Sequence, residues 1–184
     1  MSRTGPAQQS RRSDTAPFYG GLAIWTGSTG SPSTADADCT TGFRMTPGGT
    51  NRYFSFYSSF GERNTSTANP VSGKNTDWPA VGSGLYVSGA DGGLVYGRVT
   101  SINGSCGGER MVTADTDTGH SQDGATLAGD SGAPVTRWNT ATSATNDLSA
   151  VGSHSCGNSV NTSWFVPIHR VEAATGAVVA VGGT

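Results

Sequence analysis

Charged side chains are scarce in this chain: Lys, Arg, Asp and Glu make up 13% of its 184 residues, about half the usual share of a soluble domain. The formal net charge of −2 gives no electrostatic basis for gripping nucleic acid or an anionic membrane surface. Arg3, Arg11 and Arg12 form the only basic cluster, within a polar N-terminal stretch. No apolar run approaches the ~20 residues of a membrane-spanning helix, and residues 1–16 lack the apolar core of a signal peptide, so an exported form would need a leader not contained in this sequence. Cysteine is sparse as well. The three, Cys39, Cys106 and Cys156, leave at least one thiol free or bridged to another chain. Cys106 with Cys156 is the more plausible pair, which spacing alone does not establish.

What the chain has in quantity is glycine, with 28 residues, together with many Ser, Thr and Asn. Turn formers between short apolar runs argue for an all-β protein rather than a helical one. Residues 1–17 read as a flexible tail. Strands are expected at 21–25, at 41–45 and 52–57 around the Pro47-Gly48-Gly49 turn, at 94–102 with 111–114, at 133–138, at 150–155 and at 163–166. The one helix signal is at 168–174, with Ile168, Val171 and Ala174 on one face and Gly176 placed to end it. At 184 residues the chain suits one domain with a sizeable core, or two small barrels sharing one.

The most informative stretch is Gly129-Asp-Ser-Gly-Ala-Pro-Val135. Glycines on both sides of Asp130-Ser131 permit tight backbone conformations. Such a turn can aim the amides of Gly129 and Ser131 at the place where an oxyanion would form. Pro134 disfavours a helix directly after the serine, which argues against a lipase-type elbow. An ordinary Gly/Asp/Ser turn before a strand is the competing reading.

Several segments resemble the secreted chymotrypsin-like serine peptidases of actinobacteria, the streptogrisin and glutamyl endopeptidase group. Ala16-Pro-Phe-Tyr-Gly-Gly21 resembles the start of their mature domain, Cys39-Thr-Thr-Gly-Phe43 their first cysteine strand, and Arg52-Tyr-Phe54 the strand after it. Asn75-Thr-Asp-Trp78 resembles the segment supplying the triad carboxylate, Gly129 to Val135 the serine loop, and Val151-Gly-Ser-His-Ser155 the strand lining the substrate cleft. The resemblance implies two six-stranded antiparallel barrels, the first at about 18–90 and shortened, the second at about 91–184, with a short C-terminal helix. It also implies a secreted, monomeric serine endopeptidase acting on peptide or protein substrates without a cofactor. In that reading Ser131 is the nucleophile and Asp77 the triad carboxylate. Gly129 and Ser131 form the oxyanion hole, and His154, Ser155 and Ala125 line the cleft.

One departure outweighs the matches. In that family a Thr-Ala-Gly-His-Cys segment follows the Arg-Tyr-Phe-like strand and carries the general base. Here Phe54 is followed by Ser55-Phe-Tyr-Ser-Ser-Phe60, with neither histidine nor cysteine, which also leaves Cys39 without its family partner. A serine hydroxyl is a poor nucleophile at neutral pH without an adjacent base. Three outcomes follow: an impaired peptidase, a module that binds peptides without cleaving them, or an incomplete sequence whose full version holds the base.

The remaining histidines are candidates of different kinds. His120 is expected in a solvated loop and His169 at the helix start. His154 matches a place where glutamyl endopeptidases carry a histidine that helps neutralise an acidic substrate side chain. The supporting histidines of that group would fall at Val135 and Phe165, so acidic preference is a minority reading. Ala125, near the expected pocket base, offers no carboxylate for a Lys or Arg side chain. His154, Cys156 and His169 could suggest zinc ligands but lack a fourth at motif spacing. Asp115, Asp117 and Asp123 lack the EF-hand pattern. Trp25, Trp78, Trp138 and Trp164 are expected in the core rather than at a ligand platform.

Overall fold

A computed structural model describes residues 23–24, 39–43, 45–47, 58–59, 68–69, 71–142 and 147–181. The expected tail at 1–17, the strand at 52–57 and the junction after Phe54 lie outside the described residues, as does most of the expected first barrel.

In chain order the strands are β1 (Ala23–Ile24), β2 (Cys39–Thr40), β3 (Met45–Pro47), β4 (Ser58–Ser59), β5 (Ala68–Asn69), β6 (Val71–Lys74), β7 (Gly84–Ser88), β8 (Leu94–Cys106), β9 (Glu109–Asp115), β10 (Pro134–Trp138), β11 (Leu148–Gly157), β12 (Thr162–Pro167) and, after the helix α1 (Ile168–Thr175), β13 (Ala177–Val179). Among the described residues the protein is all-β with one short helix. The expected strand at 41–45 is corrected: 41–43 are not part of a strand, and β3 begins at Met45.

β7, β8, β9, β12, β11 and β10 pair in that order, and β10 pairs again with β7, closing a ring of six antiparallel strands. Long strands make the closure possible because each serves two neighbours. The first part of β8 pairs with β7 and its later part with β9. The start of β11 lies between β10 and the parallel strand β6, and its end pairs with β12. The β8–β9 hairpin turns on Gly107 and Gly108, at φ 68° and 89°, a conformation that L side chains resist and that matches strand twist.

Alternation along the strands sets the core inside the ring, where Leu85, Val87, Val99, Val112, Ala114, Val135, Val151 and Phe165 are buried, while β7 and the start of β11 are covered on both faces. A second cluster joins Phe43, Val71, Ala150, Ile168 and Val179, seating the helix beside the ring. Gly176 ends that helix in the left-handed region at φ 67°, as expected. Ile168 is buried and Val171 packs on the same cluster, but Ala174 is exposed, because eight residues give only about two turns and the last projects past the cluster. Lys74 reaches across to Glu172 at 2.8 Å, and Glu172 also accepts from the Val179 amide at 2.7 Å, tying β6, α1 and β13 together.

Cys106 and Cys156 form a disulfide, pinning the end of β8 to β11. Cys39 is free and exposed.

Candidate active site

Ser131 sits in the turn immediately before β10. Gly129 and Gly132 hold φ of 97° and 91°, conformations open mainly to glycine. The loop is folded on itself by Asp130 N–H to Leu127 O at 3.1 Å and Ala133 N–H to Asp130 O at 2.9 Å. It is then zipped to β11, with Gly132 N–H donating to His154 O at 2.8 Å and His154 N–H to Ala133 O at 2.9 Å.

The Asp130 side chain anchors the turn from beneath. Its carboxylate is fully buried and accepts from the amides of Leu127 at 2.8 Å, Asp91 at 2.9 Å and Gly92 at 3.1 Å. Burial raises its pKa above 3.8; the three amides act in the opposite direction, and the nearby Asp91 charge adds to the rise. Gly89 and Gly92 let the 89–93 loop wrap this group, since a Cβ at either would lie 2.2 Å or 2.4 Å from the carboxylate.

Thr40 clasps the same loop from above, across a sequence separation of 89. Its hydroxyl donates to Gly129 O at 2.7 Å and accepts from Ala90 N–H at 3.0 Å. Its own amide donates to Ser131 O at 2.7 Å. Its carbonyl lies where a Cβ on Gly132 would fall, 2.4 Å away. The peptide planes before and after the Asp130–Ser131 bond are therefore both fixed by one buried residue. Sequence reasoning placed Thr40 on a family strand without finding this role; only the three-dimensional approach of the two segments reveals it.

Among the described residues the amides of Gly129 and Ser131 donate to no protein acceptor. The Ser131 hydroxyl donates to the carbonyl of Ser155 at 3.1 Å. The chain's three histidines are all described, and none bonds to Ser131. His154 is 3% exposed, with Nδ1 3.0 Å from Ser163 Oγ, and burial pushes its pKa down to about 4. It is thus neutral at pH 7, not poised as a cation. His169 meets Trp78 edge-on at 5.8 Å. His120, expected in a solvated loop, is half-buried and stacked on Tyr96 at 4.1 Å, because the 116–124 segment closes onto β8 through Tyr96 N–H to Gln122 O.

The structure thus brings Ser131, Gly129, His154 and Ser155 together. Ala125 lies in the neighbouring segment: its carbonyl would be 2.8 Å from a Cβ on Gly92, and the adjoining Thr126 packs on Gly157 at the end of β11. Asp77 is exposed, its carboxylate accepting from the Trp78 amide at 2.7 Å; among the described residues no contact joins it to Ser131. Cys156 is bonded to Cys106, so it has no thiolate to offer beside His154 and His169. Trp138 is 37% exposed, which corrects its expected place in the core: it stands on the outward-facing side of β10.

No family model and no curated protein matches the sequence. Solved structures do. Protease A of Thermobifida fusca aligns with a TM-score of 0.53 at 20% identity, covering 78% of this chain and 92% of that one. The chymotrypsin of Cellulomonas bogoriensis aligns with a TM-score of 0.51 at 20% identity, covering 79% and 92%. A glutamic acid-specific serine protease that uses a histidine triad in substrate binding aligns at a TM-score of 0.41 and 18% identity; the chain spans 56% of its length, and 62% of this chain is covered.

Proposed function

We propose that this chain, whose fold is that of the chymotrypsin-like serine peptidases, is a peptide-binding homologue of these enzymes that retains the nucleophile loop but lacks its proton acceptor. Ser131 is the nucleophile, and the Gly129 and Ser131 amides are the oxyanion donors. Ser155 and the 125–127 segment border the place of the substrate side chain. The observation that carries this reading is a single one. Among the described residues the Gly129 and Ser131 amides donate to no protein acceptor, while the Ser131 hydroxyl itself donates to Ser155 O rather than to an imidazole.

The chemistry divides accordingly. Prealigned donors stabilise charge that develops on a substrate carbonyl oxygen, a term worth about 10²–10³ in rate for one donor. Deprotonating the serine requires a base held against it, and without one about 10³–10⁴-fold over water remains. Acylation is therefore slow, and peptide binding outlasts turnover. The neutral His154 gives no fixed positive charge for an acidic side chain at pH 7, so uncharged side chains are preferred over Glu. An oxidising, extracellular setting fits the Cys106–Cys156 bridge, since such bonds persist there and are rare in the cytosol.

A fluorophosphonate probe and a set of chromogenic peptides test this. The expected result is slow labelling that Ser131→Ala abolishes, with peptide affinity retained in that variant. Rapid turnover would overturn the missing-base reading, and the absence of both labelling and peptide binding would overturn the site itself.

A further inference from the structure

The first part of β8 keeps regular register with β7, and its later part does not with β9. Ser101 lies opposite Thr113 and the next pair is Gly104 with Met111, so Ile102 and Asn103 stand against Val112 alone. Such a bulge leaves a residue outside the ladder and re-aims its side chain. Asn103 is exposed. Its main-chain N–H is tied to Ser101 Oγ at 3.0 Å, whereas its carboxamide has no hydrogen-bond partner among the described residues. The residue after it has to be glycine, because a Cβ on Gly104 would run into Thr113 Oγ1. Packing of β8 on β9 thus sets an untethered carboxamide directly before the one residue type whose amide nitrogen no side chain shields.

Asn158 shows the opposite arrangement. It precedes Ser159 in a turn that is also exposed, but its Oδ1 accepts from the amides of Val160, Asn161 and Thr162, each at 2.9 Å. Its Nδ2 donates to Asn161 Oδ1 at 3.1 Å. That carboxamide is held on both atoms.

We propose that Asn103 is a self-modification site, converted in the folded protein to aspartate and isoaspartate through a succinimide closed by the Gly104 nitrogen. The Gly104 N–H gives its proton to hydroxide, and the nitrogen attacks Cγ of Asn103. A bond forms between that nitrogen and Cγ, the Cγ–Nδ2 bond breaks, and ammonia leaves after taking a proton from water. A second water opens the five-membered ring. Entry at Cγ gives aspartate; entry at the main-chain carbonyl carbon gives isoaspartate, in which the backbone runs through the former side chain. The sum is one water consumed and one ammonia released, with no change of oxidation state.

Either product adds a negative charge near Arg110, whose Nε donates to Ile102 O at 3.0 Å. Isoaspartate also adds a methylene to β8, at a point where two residues already lie unpaired. The Cys106–Cys156 bond fixes the strand just beyond it, so the product stays folded. The site is independent of the chemistry assigned to Ser131.

The test holds the full chain in mildly alkaline buffer, native and in urea, and follows residue 103 by peptide mass spectrometry that separates isoaspartate from aspartate. A reaction that had to wait for global unfolding would run about 10³–10⁸-fold slower in the native chain. The expected native rate is within about 100-fold of the rate in urea, with both products formed and Asn158 unchanged over the same interval. Asn103→Gln, an exposed substitution, should remove the first acidic species to appear on isoelectric focusing, since the six-membered ring it would need closes far more slowly. A native rate more than about 100-fold below the rate in urea would overturn the proposal. So would aspartate formed without isoaspartate, loss of the Asn158 amide at an equal rate, or a first acidic species that survives Asn103→Gln.

Discussion

Around Ser131, side chains and backbone from Thr40, Asp130 and β11 fix consecutive peptide planes with buried hydrogen bonds. Asp77, the residue that resembles the triad carboxylate, stands exposed after β6 with its oxygen on the next amide. One region is tied down by buried hydrogen bonds from several segments; the other is a loop carboxylate with no imidazole beside it among the described residues. The contrast separates two functions that an intact triad fuses. Cradling an oxyanion needs only backbone geometry, which buried bonds supply. Moving a proton needs a third group between serine and carboxylate.

The largest effects should therefore fall on the serine side. Ser131→Ala removes fluorophosphonate labelling entirely. Opening the Cys106–Cys156 bridge comes next, since it closes a loop with a sequence separation of 50 and adjoins Ser155; the double Cys→Ser variant should lose about 2–5 kcal/mol in urea unfolding.

His154 should give the protein a pH-dependent stability of its own. Its folded pKa of about 4 lies below the ordinary 6.5, so the unfolded chain binds the proton more tightly. The contribution is complete above pH 6.5 and is lost as pH falls towards 4, on the order of 3 kcal/mol in all. Asp130 works the other way: raised above 3.8 chiefly by burial, its contribution is present below that value and declines as pH rises through its folded pKa. His154→Gln should remove the loss between pH 6.5 and 4 and leave the opposing slope of Asp130 visible. An unchanged profile in that variant would mean that the imidazole is solvated.

Thr40→Val should cost about 1–3 kcal/mol by stranding Gly129 O and Ala90 N–H. It should also slow labelling more than it lowers peptide affinity, and Thr40→Ser should restore both. The smallest effect belongs to Asp77→Asn: labelling within about twofold and stability within about 0.5 kcal/mol. A large loss there would break the comparison, because it would mean that the carboxylate acts on Ser131 after all.

The glycines of 129–132 were legible because only a turn of positive φ uses them in that pattern, and the helix end at Gly176 was legible for the same reason. Alternating residues marked β8, and short runs beside it or after the serine loop marked β9, β11 and β12. The Leu85-Tyr-Val-Ser88 strand was missed although its apolar positions alternate, and the Gly107-Gly108 hairpin was a turn signal left unread. Thr40, Ser163 and the amides around Asp130 gave no local signal, since each acts on residues far away in the chain. Trp138 misled because hydrophobicity places a residue near other apolar groups without saying on which side of a strand it points.

Local pattern by itself marked most of the later strands, the helix and its end, and the tight turn at 129–132, because these depend on neighbours within a few residues. It also settled that the segment directly after Phe54, residues 55–60, holds no histidine. Ring closure decided the rest: which cysteines pair, which amides find no acceptor among the described residues, and that His154 is buried and neutral. Each of those is a matter of distance between segments tens of residues apart, and solvent exclusion exists only once they have met.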